Sequence, residues 1–346
     1  MRRLLVATQR IDPAHPALAA TIPMLNALSE RVDELVVLAD AAVPGQLGPR
    51  CRVLTFGASG RIGRGVRFER ALAGELRHRP LPVLAHMIPL FALLAAPLVR
   101  PGGQPLLLWY THWKPTRALR VATRAATTVL SVDASSFPLT TPKLRAIGHG
   151  IDVRRFERER APAAGPLRVT ALGRTSPMKR YPTLLRAARL VLDHGVEVRV
   201  EIRGPSLTDE EVAERRRVER LVGELGLSGY AEVADPVSYA EVPGVLSRTD
   251  VLANLAEAAD KIVYEAAAAG VLPVASAPAF VGLLPERLRF LRDDPVSLAT
   301  ALADVAAREP AERAALAASL RSEVERAHSV DSWADRVVEA AGYTLR

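Results

Sequence analysis

Residues 250–276 read DVLANLAEAADKIVYEAAAAGVLPVAS, and the fold is decided by how this stretch is parsed. Asp250–Leu255 has the apolar run of a short buried strand. Lys261–Ala269, rich in Ala and Glu, has the composition of a helix and is stopped by Gly270. Val271–Ser276 is again a short strand. A strand that feeds a helix through small residues aims unpaired N–H groups at whatever lies above the strand's C-terminal end, which favours an anion. Glu257 and Glu265 bracket that turn as E-x7-E. The spacing alone is common by chance. Strand, small-residue turn, E-x7-E, Ala-rich helix, glycine and PVAS together form a far more specific composite.

Working outward, strand and helix signals alternate on both sides. Upstream in the second half come strand Arg168–Leu172, helix Tyr181–Asp193, strand Glu197–Arg203, helix Asp209–Leu225, strand Ala231–Ala234 and a short helix Tyr239–Leu246. The first half repeats the grammar from strand Leu4–Thr8 and helix Ala17–Glu30 through strands Glu34–Ala39, Arg52–Phe56, Val83–His86, Leu106–Thr111, Thr128–Val132 and Leu144–Ile147. A helix is expected over Phe68–Arg77. Between the halves, Glu157–Pro166 (ERERAPAAGP) has the composition of a linker. From Pro295 onward the pattern is helical. The chain thus reads as α/β: two Rossmann-like, doubly wound domains in tandem, 1–160 and 161–330, with a final helix over 331–346. An interdomain cleft is the expected site.

Bulk properties narrow the function. The chain has 346 residues, enough for two domains of ordinary size. Apolar residues make up 49% and aromatics only 5%, which suits packed α/β layers and leaves little to stack on bases. Nucleic acid is therefore not expected as a partner. The net charge of +8 instead points to phosphorylated substrates, an anionic acceptor or an anionic membrane surface. The single cysteine, Cys51, cannot form an internal disulfide or a cysteine metal cluster, and a cytoplasmic location is expected. The first apolar run ends at Ala7, too short for a signal peptide, and Met87–Val99 is interrupted by Pro89 and Pro97. A peripheral contact with the inner membrane face stays open.

Gly173-Arg174 closes the first strand of the second domain, and Lys179-Arg180 opens the next helix. Arginine offers a planar fork to phosphate oxygens and lysine a mobile point charge, although a solvated basic loop would look the same. In combination the motifs resemble the C-terminal domain of retaining GT-B-fold glycosyltransferases of the "glycosyltransferases group 1" family. They comprise Gly173-Arg174, Lys179, Glu257-x7-Glu265, Gly270 and Pro273-Val274-Ala275. His149-Gly150-Ile151-Asp152 with Phe156 resembles the family's bridge between domains, and Trp109-Tyr110-Thr111-His112 its strand-end histidine.

The resemblance implies a hexosyltransferase with no cofactor, whose donor substrate is a nucleotide-diphosphate sugar of UDP or GDP type and whose acceptor is a hydroxyl compound, lipid-linked or otherwise anionic. It implies that Arg174 and Lys179 hold the diphosphate beside Gly173, and that backbone N–H groups of Asp260, Lys261 and Ile262 add donors. Glu265 would bind the ribose, Glu257 the donor sugar near its 3-OH, and His112 the sugar near its 6-position. The last helix, around Trp333, would cross back to the first domain. Metal independence is expected because no Asp-x-Asp occurs in the chain.

Two departures stand out. The family's Gly-Phe-Gly after the first glutamate is Ala258-Ala259-Asp260 here. Asp260 could cap the helix, and its charge beside a diphosphate would need an offset, for which Lys261 is the expected partner. The glycine pair after the first strand is replaced by Gln9-Arg10-Ile11-Asp12-Pro13, where Asp12 is a candidate acceptor contact or an ordinary surface carboxylate. Gly60–Gly65 has the wrong spacing for a dinucleotide fingerprint and reads as a mobile basic loop leading into a helix. Two rival functions remain: a sugar-nucleotide-binding homologue without transfer activity, and a GT-B epimerase acting on the sugar nucleotide itself.

Overall fold

The structure is a computed structural model that describes residues 1–15, 18–158 and 165–345. The expected linker at 157–166 therefore falls largely outside the described residues. Contacts divide the chain into unit 1, Met1–Asp152 with Ala327–Arg346, and unit 2, Val153–Arg326. The sequence reading had put these divisions at 160 and 330.

In unit 1 the elements run β1 (Arg3–Ile11), α1 (Thr21–Arg31), β2 (Glu34–Ala42), β3 (Cys51–Thr55), α2 (Arg61–His78), β4 (Val83–His86), α3 (Pro89–Val99), β5 (Leu106–Trp109), α4 (Arg117–Ala125), β6 (Thr128–Ser131) and β7 (Leu144–Ala146). All seven strands are parallel, in the order β3-β2-β1-β4-β5-β6-β7. Strands β4, β5 and β6 are buried at every residue. This is why VLAH, LLLW and TVLS read as unbroken runs rather than alternations: helices cover both faces. Chain order reverses between β1 and β4, so the carboxyl ends of these two strands form the switch point where such sheets bind ligands.

In unit 2 the order is β8 (Leu167–Leu172), α5 (Tyr181–Asp193), β9 (Val198–Arg203), α6 (Asp209–Glu224), β10 (Ala231–Ala234), α7 (Val242–Leu246), β11 (Val251–Asn254), α8 (Lys261–Ala268), β12 (Leu272–Ala275) and α9 (Pro295–Ala307). The parallel sheet is ordered β10-β9-β8-β11-β12, with its switch point between β8 and β11. Helix α10 (Pro310–His328) follows, and α11 (Val330–Ala340) belongs to unit 1. There Trp333, fully buried, meets Trp109 edge-on at 5.6 Å, and Arg31 of α1 pairs with Asp331 at 3.0 Å and Asp335 at 2.5 Å.

The His149-Gly150-Ile151-Asp152 segment has a structural task. The N–H groups of Gly150 and Ile151 donate to the His328 carbonyl at 3.0 and 2.7 Å, and Val330 N–H donates to the Ile151 carbonyl at 2.8 Å. A Cβ on Gly148 (φ +76) would fall 2.0 Å from the Ala327 carbonyl oxygen. The glycine is what lets the returning C-terminal segment lie against this turn.

Helix α2 begins at Arg61, well before the Phe68 expected from sequence, so the segment read as a mobile loop is its first two turns. Gly63 and Gly65 lower the intrinsic propensity. Tertiary bonds compensate: Arg64 pairs with Asp40 at 3.3 Å and Arg67 donates to the Gly57 carbonyl at 2.5 Å.

Both sheets are clamped at their amino ends by ion pairs that include a buried acid, Glu75 in unit 1 and Asp250 in unit 2. In unit 1, Arg3 bridges Glu34 and Glu75, at 2.6 and 3.0 Å, and Arg52 joins the same two acids. In unit 2, Arg168 forks onto Asp250, with Nε at 2.8 Å from Oδ2 and an Nη at 2.7 Å from Oδ1. The carboxyl ends are left for other chemistry. No helix among the described residues is long and apolar enough to cross a membrane.

Candidate functional site

The donor-side residues expected from sequence gather in unit 2, in loops after β8 and β11, which are neighbours in the sheet and parallel. Gly173 follows β8 directly with φ +145. A Cβ there would stand 2.8 Å from both Cε and Nζ of Lys179, so glycine keeps the lane in which the lysine lies. The Gly173 carbonyl accepts from the buried Tyr181 hydroxyl at 2.8 Å, and burial pushes that phenol's pKa up. Gly204 packs against the same peptide, where a Cβ would come within 1.8 Å of the Gly173 oxygen.

Lys179 is thus steered onto one partner. Its ammonium contacts Asp260 Oδ2, which also accepts from Asn254 Nδ2 at 3.0 Å. Asn254 is the last residue of β11, and its Oδ1 is buried without a partner. Burial would raise the Asp260 pKa, but the Lys179 charge and these hydrogen bonds override it, and the carboxyl sits below its ordinary range.

Two expectations are corrected here. The Asp260 side chain makes no capping hydrogen bond of ordinary geometry to α8, although the Ile262 N–H lies close enough to help hold its charge. Its offset is Lys179, whereas Lys261 turns to Glu265 one helical turn on and donates to the Tyr239 hydroxyl at 2.8 Å. The Asp260 N–H is also engaged, donating to the Ala258 carbonyl at 2.7 Å. Lys261 and Ile262 stand in the first turn of α8, where N–H groups lack intrahelical acceptors.

Glu265 is buried and accepts from the Tyr239 hydroxyl at 2.9 Å as well as from Lys261. Arg155 covers the Tyr239 ring at 4.2 Å and donates to its carbonyl at 2.9 Å. Glu257 is exposed and engaged by two arginines, Arg180 at 3.2 Å and Arg292 more closely. Arg180 also pairs with Asp293 at 2.5 Å, and both residues hold positive φ, 50° and 60°. Arg174 is paired at 2.9 Å with the buried Glu211, a different acid from the one that holds Lys179. The other Glu211 oxygen accepts from Leu207 N–H at 2.7 Å at the start of α6.

Sequence reasoning missed Glu211, Asn254, Tyr239 and Arg292. Only Glu211 carried a local signal, the Thr208-x-x-Glu211 capping pattern. Among the described residues every cation predicted for phosphate binding is held by an acid. The arrangement is a set of charges pre-positioned at one strand edge, which an anionic ligand could enter by sharing or displacing carboxylates.

In unit 1, His112 is exposed just after β5, stacked on Trp113 at 5.5 Å, and it accepts from Lys114 N–H through Nδ1 at 3.0 Å. Burial and then the Lys114 charge lower its pKa, which favours the neutral ring. Asp12 is used locally: Oδ1 accepts from Ala14 N–H at 3.0 Å and Oδ2 lies 3.5 Å from Arg10. It does not line the cavity of about 630 Å³ that opens at the β1/β4 switch point of this unit; Gln9 and Arg10 do.

Comparison with known proteins agrees with this architecture. The family model described as "Glycosyl transferase-like" matches residues 184–339. No curated protein matches the chain. Among solved structures, HepE of Anabaena, crystallised with UDP and with UDP-glucose, is 16% identical and superposes with a TM-score of 0.77 in the UDP complex, over 99% of this chain and 100% of that one. A glycosyltransferase of Rickettsia africae is 11% identical at a TM-score of 0.78, covering 98% and 97%. Sucrose-phosphate synthase of Thermosynechococcus elongatus is 16% identical at 0.76, covering 98% of each chain. The fold of this chain is GT-B, and its residues 184–339 are similar to the family model described as "Glycosyl transferase-like".

Proposed function

We propose that the chain is a retaining, metal-independent glycosyltransferase that moves a hexosyl group from a nucleotide-diphosphate sugar, UDP or GDP type, to a hydroxyl acceptor. The observation that carries the reading is the Gly173–Lys179–Asp260 arrangement. A lysine laid along a glycine meets the amino end of a helix at the switch point of a parallel sheet. A diphosphate would draw on Lys179, Arg174 and the first N–H groups of α8, with Glu265 toward the ribose and Glu257 toward the sugar. In the transfer the acceptor oxygen bonds to the anomeric carbon, the bond from that carbon to the phosphate oxygen breaks, and the hydroxyl proton passes to the departing diphosphate. Lys179 and Arg174 would stabilise the charge that builds on that leaving group. Double displacement through a carboxylate nucleophile is disfavoured, because Glu257 is held by Arg180 and Arg292.

A second reading, a sugar-nucleotide-binding chain without transfer activity, is favoured by the same pairing of every predicted cation. One experiment separates the two. UDP-, GDP-, ADP- and TDP-sugars are tested for thermal stabilisation in EDTA, on the wild type and on Lys179→Ala. At about a hundred times its Kd a ligand adds about 2.7 kcal/mol. We expect one nucleotide class to stabilise the wild type and not the variant, with sugar transferred when an acceptor is supplied. Stabilisation without transfer to any acceptor would favour the binding chain. No shift with any nucleotide would overturn both.

A further inference from the structure

We infer that the cavity at the β1/β4 switch point of unit 1 binds an amphiphilic acid, a single molecule that joins an apolar chain or ring to a phosphate. Its role as acceptor rests on the transfer reading above; the binding itself does not.

The floor is backed by aromatic rings. Phe56, Phe68 and Phe91 line the cavity and form one cluster. Phe68 and Phe91 stack at 5.6 Å, and Phe56 stands edge-on to both, at 5.3 and 5.8 Å. The rings are themselves buried, Phe68 at 0%, Phe56 at 4% and Phe91 at 7% exposure, so they back the cavity, and the apolar surface open to a ligand comes from Leu18, Ile88, Leu90 and Leu94. Leu90 continues it to the lip, where it is 53% exposed although it lines the cavity.

The rim is cationic. Arg10, Arg61 and Arg64 line the cavity with one carboxylate, Asp40, which leaves a formal charge of +2 from three arginines and one aspartate. Arg64 is held by Asp40, and Arg10 lies near Asp12, whereas Arg61 has no ion pair among the described residues. An apolar floor under a positive rim suits a ligand with the opposite arrangement, and about 630 Å³ is the size of a small-molecule site.

One helix face builds much of this. Arg61, Arg64, Gly65 and Phe68 are spaced to fall on one side of α2. Gly65 gives the cavity its room: a Cβ there would meet nothing within 4 Å, and its φ is not in the left-handed region. A larger residue at 65 would fill the cavity while improving helix propensity, so the site can be closed without loosening the fold.

The test is titration calorimetry of the full chain with monomeric decyl phosphate, with decanol, inorganic phosphate and phosphatidylglycerol vesicles as separate arms. We expect decyl phosphate to saturate at one molecule per chain, decanol to bind about tenfold more weakly, and inorganic phosphate not to bind measurably. Gly65→Leu should abolish binding, and Arg61→Glu should weaken it about tenfold. Binding that ignores both substitutions, or that occurs only on vesicles, overturns the inference. The nucleotide thermal shift on Gly65→Leu keeps the two readings apart. A retained shift with no cavity binding in the wild type sinks this inference alone. Cavity binding with no nucleotide shift in any chain sinks the transferase reading and leaves the site standing.

Discussion

The two sheets use their switch points differently. At β1/β4 in unit 1 the strand ends open onto an apolar cavity backed by aromatic rings, with an arginine rim, and the last residue of β4, His86, is a buried, uncharged histidine 3.1 Å from Thr8 Oγ1. At β8/β11 in unit 2 the strand ends hold ion pairs: Lys179 with Asp260, Lys261 with Glu265, and Arg180 and Arg292 with Glu257. A non-glycine residue at positive φ stands near each switch point, Met87 (65°) directly after β4 and Arg180 (50°) at the start of α5. The difference lies in what a ligand must do on arrival. It fills space in unit 1, and in unit 2 it must compete with carboxylates already in place.

The comparison breaks most visibly at Lys179. Lys179→Ala should reduce transfer about a hundredfold or more, the scale for losing one preorganised donor to developing charge. It also leaves Asp260 without its counter-ion. The pair's side chains are 19% and 24% exposed, so the destabilisation should be about 1–2 kcal/mol, short of a fully buried pair. The double variant Lys179→Ala/Asp260→Ala should regain that stability and none of the activity. Urea melts and initial rates on the three chains check this; recovery of activity in the double variant would show that Lys179 serves only to neutralise Asp260.

Acid should separate the two switch points. Burial lowers the His86 pKa from 6.5 to about 4, so the unfolded chain takes up a proton first as pH falls. Stability from the neutral ring is complete above pH 6.5 and is lost progressively down to about pH 4, about 3 kcal/mol in all. His112, lowered in the same direction, adds to the loss in unit 1. Asp260, held below its ordinary 3.8, keeps its charge through that window. Hydrogen exchange at pH 7 and 4.5 should show β1 and β4 losing protection while β8 and β11 keep theirs, and His86→Gln should flatten the unit 1 response. Equal losses in both sheets would refute the contrast.

Much of the architecture was legible because burial on both faces makes parallel strands read as short apolar runs, and Ala-rich helices with glycine stops fall between them. The residues around Asp250–Ser276 were legible for the same reason. The pairings were not, because they depend on contacts distant in sequence: Arg292 with Glu257, Glu211 with Arg174, Lys179 with Asp260. The misassigned offset for Asp260 is instructive. Adjacent residues at a helix start do not face each other, whereas residues four apart do. By that rule Lys261 was already spoken for by Glu265, a conclusion the sequence alone could have yielded. The aromatic backing of the cavity was hidden differently, since Phe56 follows β3, Phe68 lies in α2 and Phe91 in α3, and they share no spacing.

The smallest expected effect tests whether Asp260 competes with the donor or only holds Lys179 in place. Where relatives of this pattern carry glycine, the chain has a carboxylate on the lysine that a diphosphate would need. Asp260→Asn keeps the shape and the Asn254 side of the contact but removes the charge. If the carboxylate competes, Lys179 is released to the ligand, and the Kd for the nucleotide should fall about fivefold, close to 1 kcal/mol. If it only positions the lysine, the Kd should rise, because an amide holds an ammonium less firmly than a carboxylate does. The sign alone decides, and it can be read by titration calorimetry without an acceptor. Tighter binding would mean that the charged edge of unit 2 is set to bind its donor weakly, with affinity traded for a lysine already aimed at the leaving group.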